Sequence, residues 1–211
     1  MAEIKGIMQS KMFYIDHLDL SVEQDKTDVE AFWIDAPEGQ GLDEYLKYGA
    51  GYEEVERTMR TYLVRDIKTD ECVGYFSLKA GLISLNEVEV ETKNSETGEK
   101  EIVREFDTLP GVELADFAVN SGYVEKYPYQ NGVGHVIFTE FILPVVEKAA
   151  QYVGVKMIYL FALPYDRLIG RYQRYGFRRL PETQESDLHK RLKPRYDESC
   201  RFMYLMLERW H

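Results

Sequence analysis

The chain has 211 residues, of which 45% are apolar, 30% charged and 13% aromatic, a balance that suits one globular domain and excludes a disordered or fibrous protein. Its longest stretch free of Asp, Glu, Lys and Arg, Tyr127 to Thr139, has 13 positions including two Gly and a Pro, too short and too broken for a bilayer span. A formal net charge of −11 disfavours general binding to nucleic acid, although residues 166–195 are locally basic, with 9 Lys+Arg against 4 Asp+Glu, where residues 1–165 hold 15 against 30.

Lys5, Lys11 and Asp16 interrupt the apolar run that a secretory signal would need, and the two cysteines, Cys72 and Cys200, stand far apart. The expectation is a cytoplasmic protein with reduced thiols and no membrane partner. In chain order, Ser21 to Trp33 reads as a helix with a Ser cap, and APEGQG breaks the chain before a second helix over Leu42 to Met59, divided by Gly49 and Gly51. Tyr62 to Arg65 and Cys72 to Leu78 are β-rich runs joined by DIKTDE, hence a hairpin. Asn86 to Pro110, with its polar tip KNSETGEK, is either a protruding hairpin or a mobile loop. Val112 to Val119 is a strand, followed by a loop containing Gly122, Pro128, Gly132 and Gly134. A helix with a wide apolar face then runs from His135 to Val153, kinked at Pro144 and closed by Gly154. Lys156 to Leu163 is a strand buried on both faces, Asp166 to Tyr175 a basic helix ending at Gly176, and Cys200 to Leu207 a last strand after a polar excursion.

Strand, glycine loop and helix in that order place helix N-terminal N–H groups at the end of a sheet strand, a geometry that binds anions. Gly132 and Gly134 lack Cβ atoms, so a diphosphate could reach the main chain there. The loop has no G-K-[ST] and no third glycine, since Ile137 stands two places beyond the residue after Gly134, which argues against nucleotide hydrolysis and NAD binding. A plain turn needing two glycines is the competing reading.

From Tyr62 to Phe177 the pattern resembles the GCN5-related N-acetyltransferase (GNAT) family. The family loop [QR]-x-x-G-x-[GA] is matched by Tyr129-Gln130-Asn131-Gly132-Val133-Gly134, with Tyr129 where Gln or Arg is usual and Gln130 one place late. The family helix feature Y-x-x-x-G-[FY] is matched by Tyr172-Gln173-Arg174-Tyr175-Gly176-Phe177, while the Asn common before that helix is replaced by the Pro164, Tyr165, Asp166 neighbourhood.

The resemblance implies a single α/β domain over 1–211 with a mixed, mostly antiparallel sheet flanked by helices and a V-shaped splay beside Val119 and Asn120. Residues 1–60 would form the helical acceptor-side part, 61–180 the cofactor-binding core and 196–211 the C-terminal strand. It implies acetyl-CoA as cofactor, held by the main chain of Phe117, Ala118 and Val119 and by Gln130, Asn131, Gly132, Val133 and Gly134. No metal site is expected, because His17, His189 and His211 form no HxxxH or HxH spacing. Tyr172 would be the acid that protonates the departing thiolate, against the reading that it only packs on the sheet. Glu113, or Asp116 on the opposite strand face, would take the proton of the acceptor amine, against a solvated or ion-paired role. His135 could touch a phosphate or serve as an ordinary first-turn residue. The acceptor would be a small-molecule or peptide amine, with a homodimer allowed. Leu109 to Phe177 is also similar to acetyltransferase toxins that modify aminoacyl-tRNA; the Arg167, Arg171, Arg174 face reads by default as solvated, and otherwise could contact the 3′-phosphate side of coenzyme A or draw in a charged tRNA, against the acidic balance of the rest of the chain. A non-catalytic acyl-CoA-binding module is the reading from a different class.

Overall fold

In the computed structural model of the chain the described residues are 6–130, 132–192 and 197–207, without the side chains of 85–88 and 103–107. They form two compact units, Met1–Lys79 with Glu113–Val153, and Ala80–Val112 with Gly154–His211.

In the first unit the strands run in the order β1 (Met8–Gln9), β2 (Phe13–His17), β3 (Arg60–Asp66), then parts of β4 (Cys72–Lys93) and β5 (Lys100–Val119). Pairing is antiparallel from β1 to β4, with Phe13 opposite Asp66 and Tyr62 opposite Phe76. β2 has no period-2 signal in the sequence, because Phe13, Tyr14 and Ile15 are all buried and a short run buried on both faces does not alternate. The predicted hairpin is β3 with the start of β4. Asn86 to Pro110 proves to be a hairpin as well: β4 continues to Lys93, Asn94 Oδ1 accepts the Glu96 and Thr97 amides, and β5 starts at Lys100.

Helix α1 (Glu23–Ala31) is capped by Val22 rather than by the predicted Ser21, whose hydroxyl donates to Asp19 Oδ1 instead, at 2.6 Å. Asp25 in its first turn reaches back to accept the Asp19 amide at 2.8 Å. The expected second helix is continuous through α2 (Gln40–Glu44), a π-wound section (Tyr45–Gly49) and α3 (Ala50–Glu56). Gly49 and Gly51 do not divide it. They are packing glycines, since a Cβ on Gly49 would lie 2.9 Å from Tyr45 Cδ2 and one on Gly51 2.3 Å from Leu20 Cδ1. These helices cover one sheet face with Leu18, Val29, Phe32, Leu46, Leu63 and Tyr75. Arg65 on β3 pins α1 to that face: its Nη2 lies 2.7 Å from both Asp25 and Asp28, and all three side chains are buried.

Helix α4 (Ser121–Lys126) follows β5. A second continuous helix then runs through α5 (Val133–Ile137), a π-wound section (Phe138–Ile142) and α6 (Leu143–Ala150), three residues short of the predicted end. The kink expected at Pro144 takes the form of that wider winding. The proline ring would press on the carbonyl of Glu140, four residues back, and Glu140 lies inside the π-wound section.

The second unit holds the remaining parts of β4 and β5, then β6 (Met157–Ala162), β8 (Arg201–Met206) and β7 (Arg178–Arg179), in the order β4-β5-β6-β8-β7. β6 and β8 pair antiparallel from Met157 opposite Met206 to Ala162 opposite Arg201. Two glycines make room for the Tyr159 ring, because a Cβ on Gly81 would sit 2.0 Å from its hydroxyl and one on Gly111 3.0 Å from Cδ1. Helix α7 (Asp166–Arg174) is the predicted basic helix. The polar excursion after it contains an unpredicted helix, α8 (Glu182–Arg191), whose buried face presents Leu188 and a carboxylate. Glu185 accepts the Phe202 amide at 2.7 Å and pairs with Arg179 at 3.1 Å, so a charged residue stands where an apolar one would have revealed the helix. The whole is a mixed, mostly antiparallel sheet flanked by helices, as predicted.

Candidate functional site

The site begins with an irregularity in β4. Val64 lies opposite Gly74 and Arg65 opposite Cys72, so Val73 is an extra, bulged residue. Asn120 closes the end of β5 onto that bulge, its amide donating to Val73 O at 2.9 Å and its side-chain nitrogen to Cys72 O at 3.0 Å. Its Oδ1 meanwhile caps α4 by accepting the Gly122 amide at 3.0 Å. Gly74 allows the close approach: a Cβ there would meet Ala118 O at 2.6 Å and Ile137 Cδ1 at 3.2 Å. Asn120 enters the sequence analysis only as the end of the strand, and Gly74 not at all, although a glycine inside a strand pattern signals such an approach.

Ala118 therefore turns its carbonyl to β4, and by strand alternation Phe117 and Val119 turn their main-chain groups to the opposite edge. Over the end of β5 stands the glycine loop. Gly132 has φ 78, the left-handed conformation that glycine adopts without strain, and a Cβ on it would meet nothing within 4 Å. The Cβ position of Gly134 lies 3.6 Å from Val119 Cγ2 and 3.7 Å from Phe117 Cζ. The His135 and Val136 amides both donate to Gly132 O, winding the helix directly from the loop. Helix 133–150 thus starts at the strand end with the positive end of its dipole beside an open glycine, a cradle that fits a diphosphate. His135 is exposed, and Asn131 lies outside the described residues. Tyr129, in the place of the family's Gln or Arg, is 95% exposed, whereas Gln130 turns inward to the Tyr123 hydroxyl at 2.8 Å.

Burial alternates regularly along the end of β5, so the two candidate carboxylates do take opposite faces. Glu113 is half-buried on the face of Phe117 and Val119. Asp116, 1% exposed, lies on the face of Ala118, which packs under α1–α3, and its charge helps raise the phenol of Tyr45, after the larger effect of burial.

Tyr172 belongs to the second unit, where Y-x-x-x-G-F has a structural role of its own. Gly176 has φ 95, the Phe177 amide donates to Tyr172 O at 3.1 Å and the Gly176 amide to Gln173 O at 3.0 Å, the double closure of a Schellman cap on α7. Its hydrophobic contact is Tyr172 against Phe177, with centroids 5.6 Å apart. Tyr172 is 8% exposed, and burial holds its phenol protonated well above the usual range. Arg167, Arg171, Arg174 and Arg178 are exposed on the same unit, and Lys193 and Arg195 lie outside the described residues. Among the described residues no three His, Cys, Asp or Glu side chains are grouped to hold a metal ion, and no helix is long and apolar enough to cross a membrane.

No protein-family model and no curated protein matches the sequence. Solved structures do match the fold. A Tyr-to-Phe variant of KacT superimposes with a TM-score of 0.61 at 16% identity, covering 93% of this chain and 95% of that one. A Tyr-to-Phe variant of the AtaT toxin gives 0.61 at 15% identity, over 97% and 94%. AtaT complexed with acetyl-methionyl-tRNAfMet gives 0.58 at 16% identity, over 90% and 93%. The chain has the GNAT fold. The expectation drawn from the glycine loop and the α7 motif is met at the level of architecture, across almost the full length of both chains.

Proposed function

We propose that this chain is an acetyl-CoA-dependent N-acetyltransferase that moves acetyl to a primary amine in the cytoplasm. The observation that carries this reading is the Gly132–Gly134 turn standing over Phe117 and Val119 at the head of a long helix. Acetyl-CoA supplies an activated thioester. Main-chain N–H groups around Gly132, Val133 and Gly134 would hold its diphosphate, and the outward main-chain groups of Phe117 and Val119 would take its pantetheine arm like an added strand. Glu113 would receive the proton that a neutral-pH amine must lose before it attacks. Tyr172, held protonated by burial, would supply a proton to the departing thiolate.

The toxin-type acceptor, the amine of an aminoacyl-tRNA, is favoured over a free small molecule by two observations. A structure with this fold carries acetyl-methionyl-tRNAfMet, and α7 presents an exposed basic face in an otherwise acidic chain. A Tyr-to-Phe variant of AtaT has also been solved with acetyl-CoA and the C-terminus of the antitoxin AtaR, so an antitoxin protein is the partner class to seek. Calorimetry with acetyl-CoA, ATP and NAD tests the cofactor: heat with acetyl-CoA alone is expected, and none with acetyl-CoA overturns the reading. With charged tRNA, free thiol should be released by the parent and not by Tyr172→Phe. Cofactor binding without turnover on any amine or charged tRNA would favour the acyl-CoA-binding module.

A further inference from the structure

The glycine loop is tied to the sheet through the side chain of Gln130, which the resemblance assigns to the cofactor, and through Tyr123 and Asp66, to which the cofactor reading gives no role. Tyr123 on α4 is buried, and its hydroxyl lies 2.5 Å from Asp66 Oδ2 and 2.8 Å from the Gln130 side chain. A phenol has one proton, and the carboxylate is the stronger acceptor for it. The Gln130 amide, whose oxygen and nitrogen exchange places by a simple flip, therefore donates to the phenol oxygen. This makes a directed chain from Gln130 through Tyr123 to Asp66. Asp66 is itself fixed, because its Oδ1 accepts the Lys68 amide at 2.7 Å and the Thr69 amide at 3.3 Å in the β3–β4 turn. Burial and the Asp66 carboxylate both raise the Tyr123 phenol above its ordinary range, so it remains a donor to Asp66 at neutral pH. The same turn grips the segment a second time, with the Tyr127 hydroxyl donating to Glu71 Oε2 at 2.7 Å and Lys126 pairing with Glu71. Between the anchors the main chain closes on itself, as the Gln130 amide donates to Tyr127 O at 3.0 Å.

We infer that Asp66 and Tyr123 are positioning residues for acetyl-CoA, acting through Gln130 to hold the Gly132–Gly134 turn where its amides meet the diphosphate. The inference rests on the cofactor reading above. It also explains why Gln stands one place late in the loop: at position 130 the side chain is used inward as an anchor, and the exposed Tyr129 carries none of that function.

The test compares acetyl-CoA with acetyl-pantetheine, which keeps the thioester arm and lacks the diphosphate. Tyr123→Phe removes the phenol oxygen and keeps the ring, and Gln130→Ala, at a half-buried loop position, spares the core should the buried variant fold poorly. Each should weaken acetyl-CoA binding about tenfold, the worth of one charge-linked hydrogen bond. Acetyl-pantetheine affinity should stay at the parent value, and the double variant should be no weaker than either single one. Equal losses for both ligands would reduce the network to general stability and overturn the inference. Parent-like acetyl-CoA affinity in Gln130→Ala would overturn it too, while leaving the acetyltransferase reading intact. Only a parent protein that fails to bind acetyl-CoA removes both.

Discussion

Arg65→Met should be the most damaging single change outside the candidate site. Arg65 is 3% exposed, and its guanidinium donates from Nη2 to Asp25 Oδ1 at 2.7 Å and from Nε to Asp28 Oδ2 at 2.8 Å, with the half-exposed Asp16 3.9 Å from Nη1. Methionine fills similar volume without charge, leaving two buried carboxylates facing each other beneath α1. Breaking one side of a buried ion pair costs about 3–5 kcal/mol. For a chain of this size that corresponds to a fall in Tm of about 6–20 °C. The same physics predicts a rescue. Replacing the whole cluster, as Arg65→Met with Asp25→Asn and Asp28→Asn, removes the stranded charges, and the amide oxygen at position 25 can still accept the Asp19 amide. The triple variant should therefore recover most of the loss. Urea titration and calorimetric melting of parent, single and triple variants measure both quantities. A loss below about 1 kcal/mol in Arg65→Met, or a triple variant no more stable than the single one, would refute the reasoning.

Gly74→Ala pushes a methyl group to 2.6 Å from Ala118 O, so β5 must shift at the strand end; we expect a loss of about 1–3 kcal/mol together with weaker acetyl-CoA binding, read by melting and calorimetry. Gly176→Ala forces a side chain into φ 95 in the α7 cap and should cost about 1 kcal/mol, measured by urea unfolding, while turnover per folded molecule is kept. Burial pushes the Cys72 thiol up to about 12 and the Cys200 thiol up to about 11, so neither is a thiolate near pH 8 in the folded protein; a thiol reagent should count no reactive groups until denaturant is added, then two. Arg171→Glu with Arg174→Glu should weaken use of charged tRNA and flatten its salt dependence while leaving acetyl-CoA affinity unchanged, as followed by filter binding at two ionic strengths.

How much of this was legible in the sequence depends on whether the signal was local. The β3–β4 hairpin, helix 133–150, β6 and α7 are long periodic runs with glycine or turn punctuation, and their positions follow directly. What escaped has a nonlocal cause. β2 is a strand because five residues find β3 across a gap of more than forty positions. α8 is a helix whose buried face carries Glu185, intelligible only once the Phe202 amide and Arg179 are seen to satisfy it. The Gln130–Tyr123–Asp66 chain joins residues 57 positions apart in its Asp66–Tyr123 link, and no spacing rule could have found it.

The α7 motif shows the converse hazard, a signal read for chemistry that physics also requires for shape. A Schellman cap wants glycine at the left-handed position and an apolar pair three residues before and two after the helix end, and Tyr172, Gly176 and Phe177 supply all three. Phenylalanine would satisfy the cap at position 172 as well as tyrosine does, because the contact uses the ring and the hydrogen bond uses the main chain. The phenol oxygen is thus the one part of the motif that the fold does not need. Tyr172→Phe consequently separates chemistry from structure: it should leave the melting temperature at the parent value and abolish thiol release. A variant that melts early instead would mean that the hydroxyl serves the packing of α7, and the acid would have to be sought elsewhere.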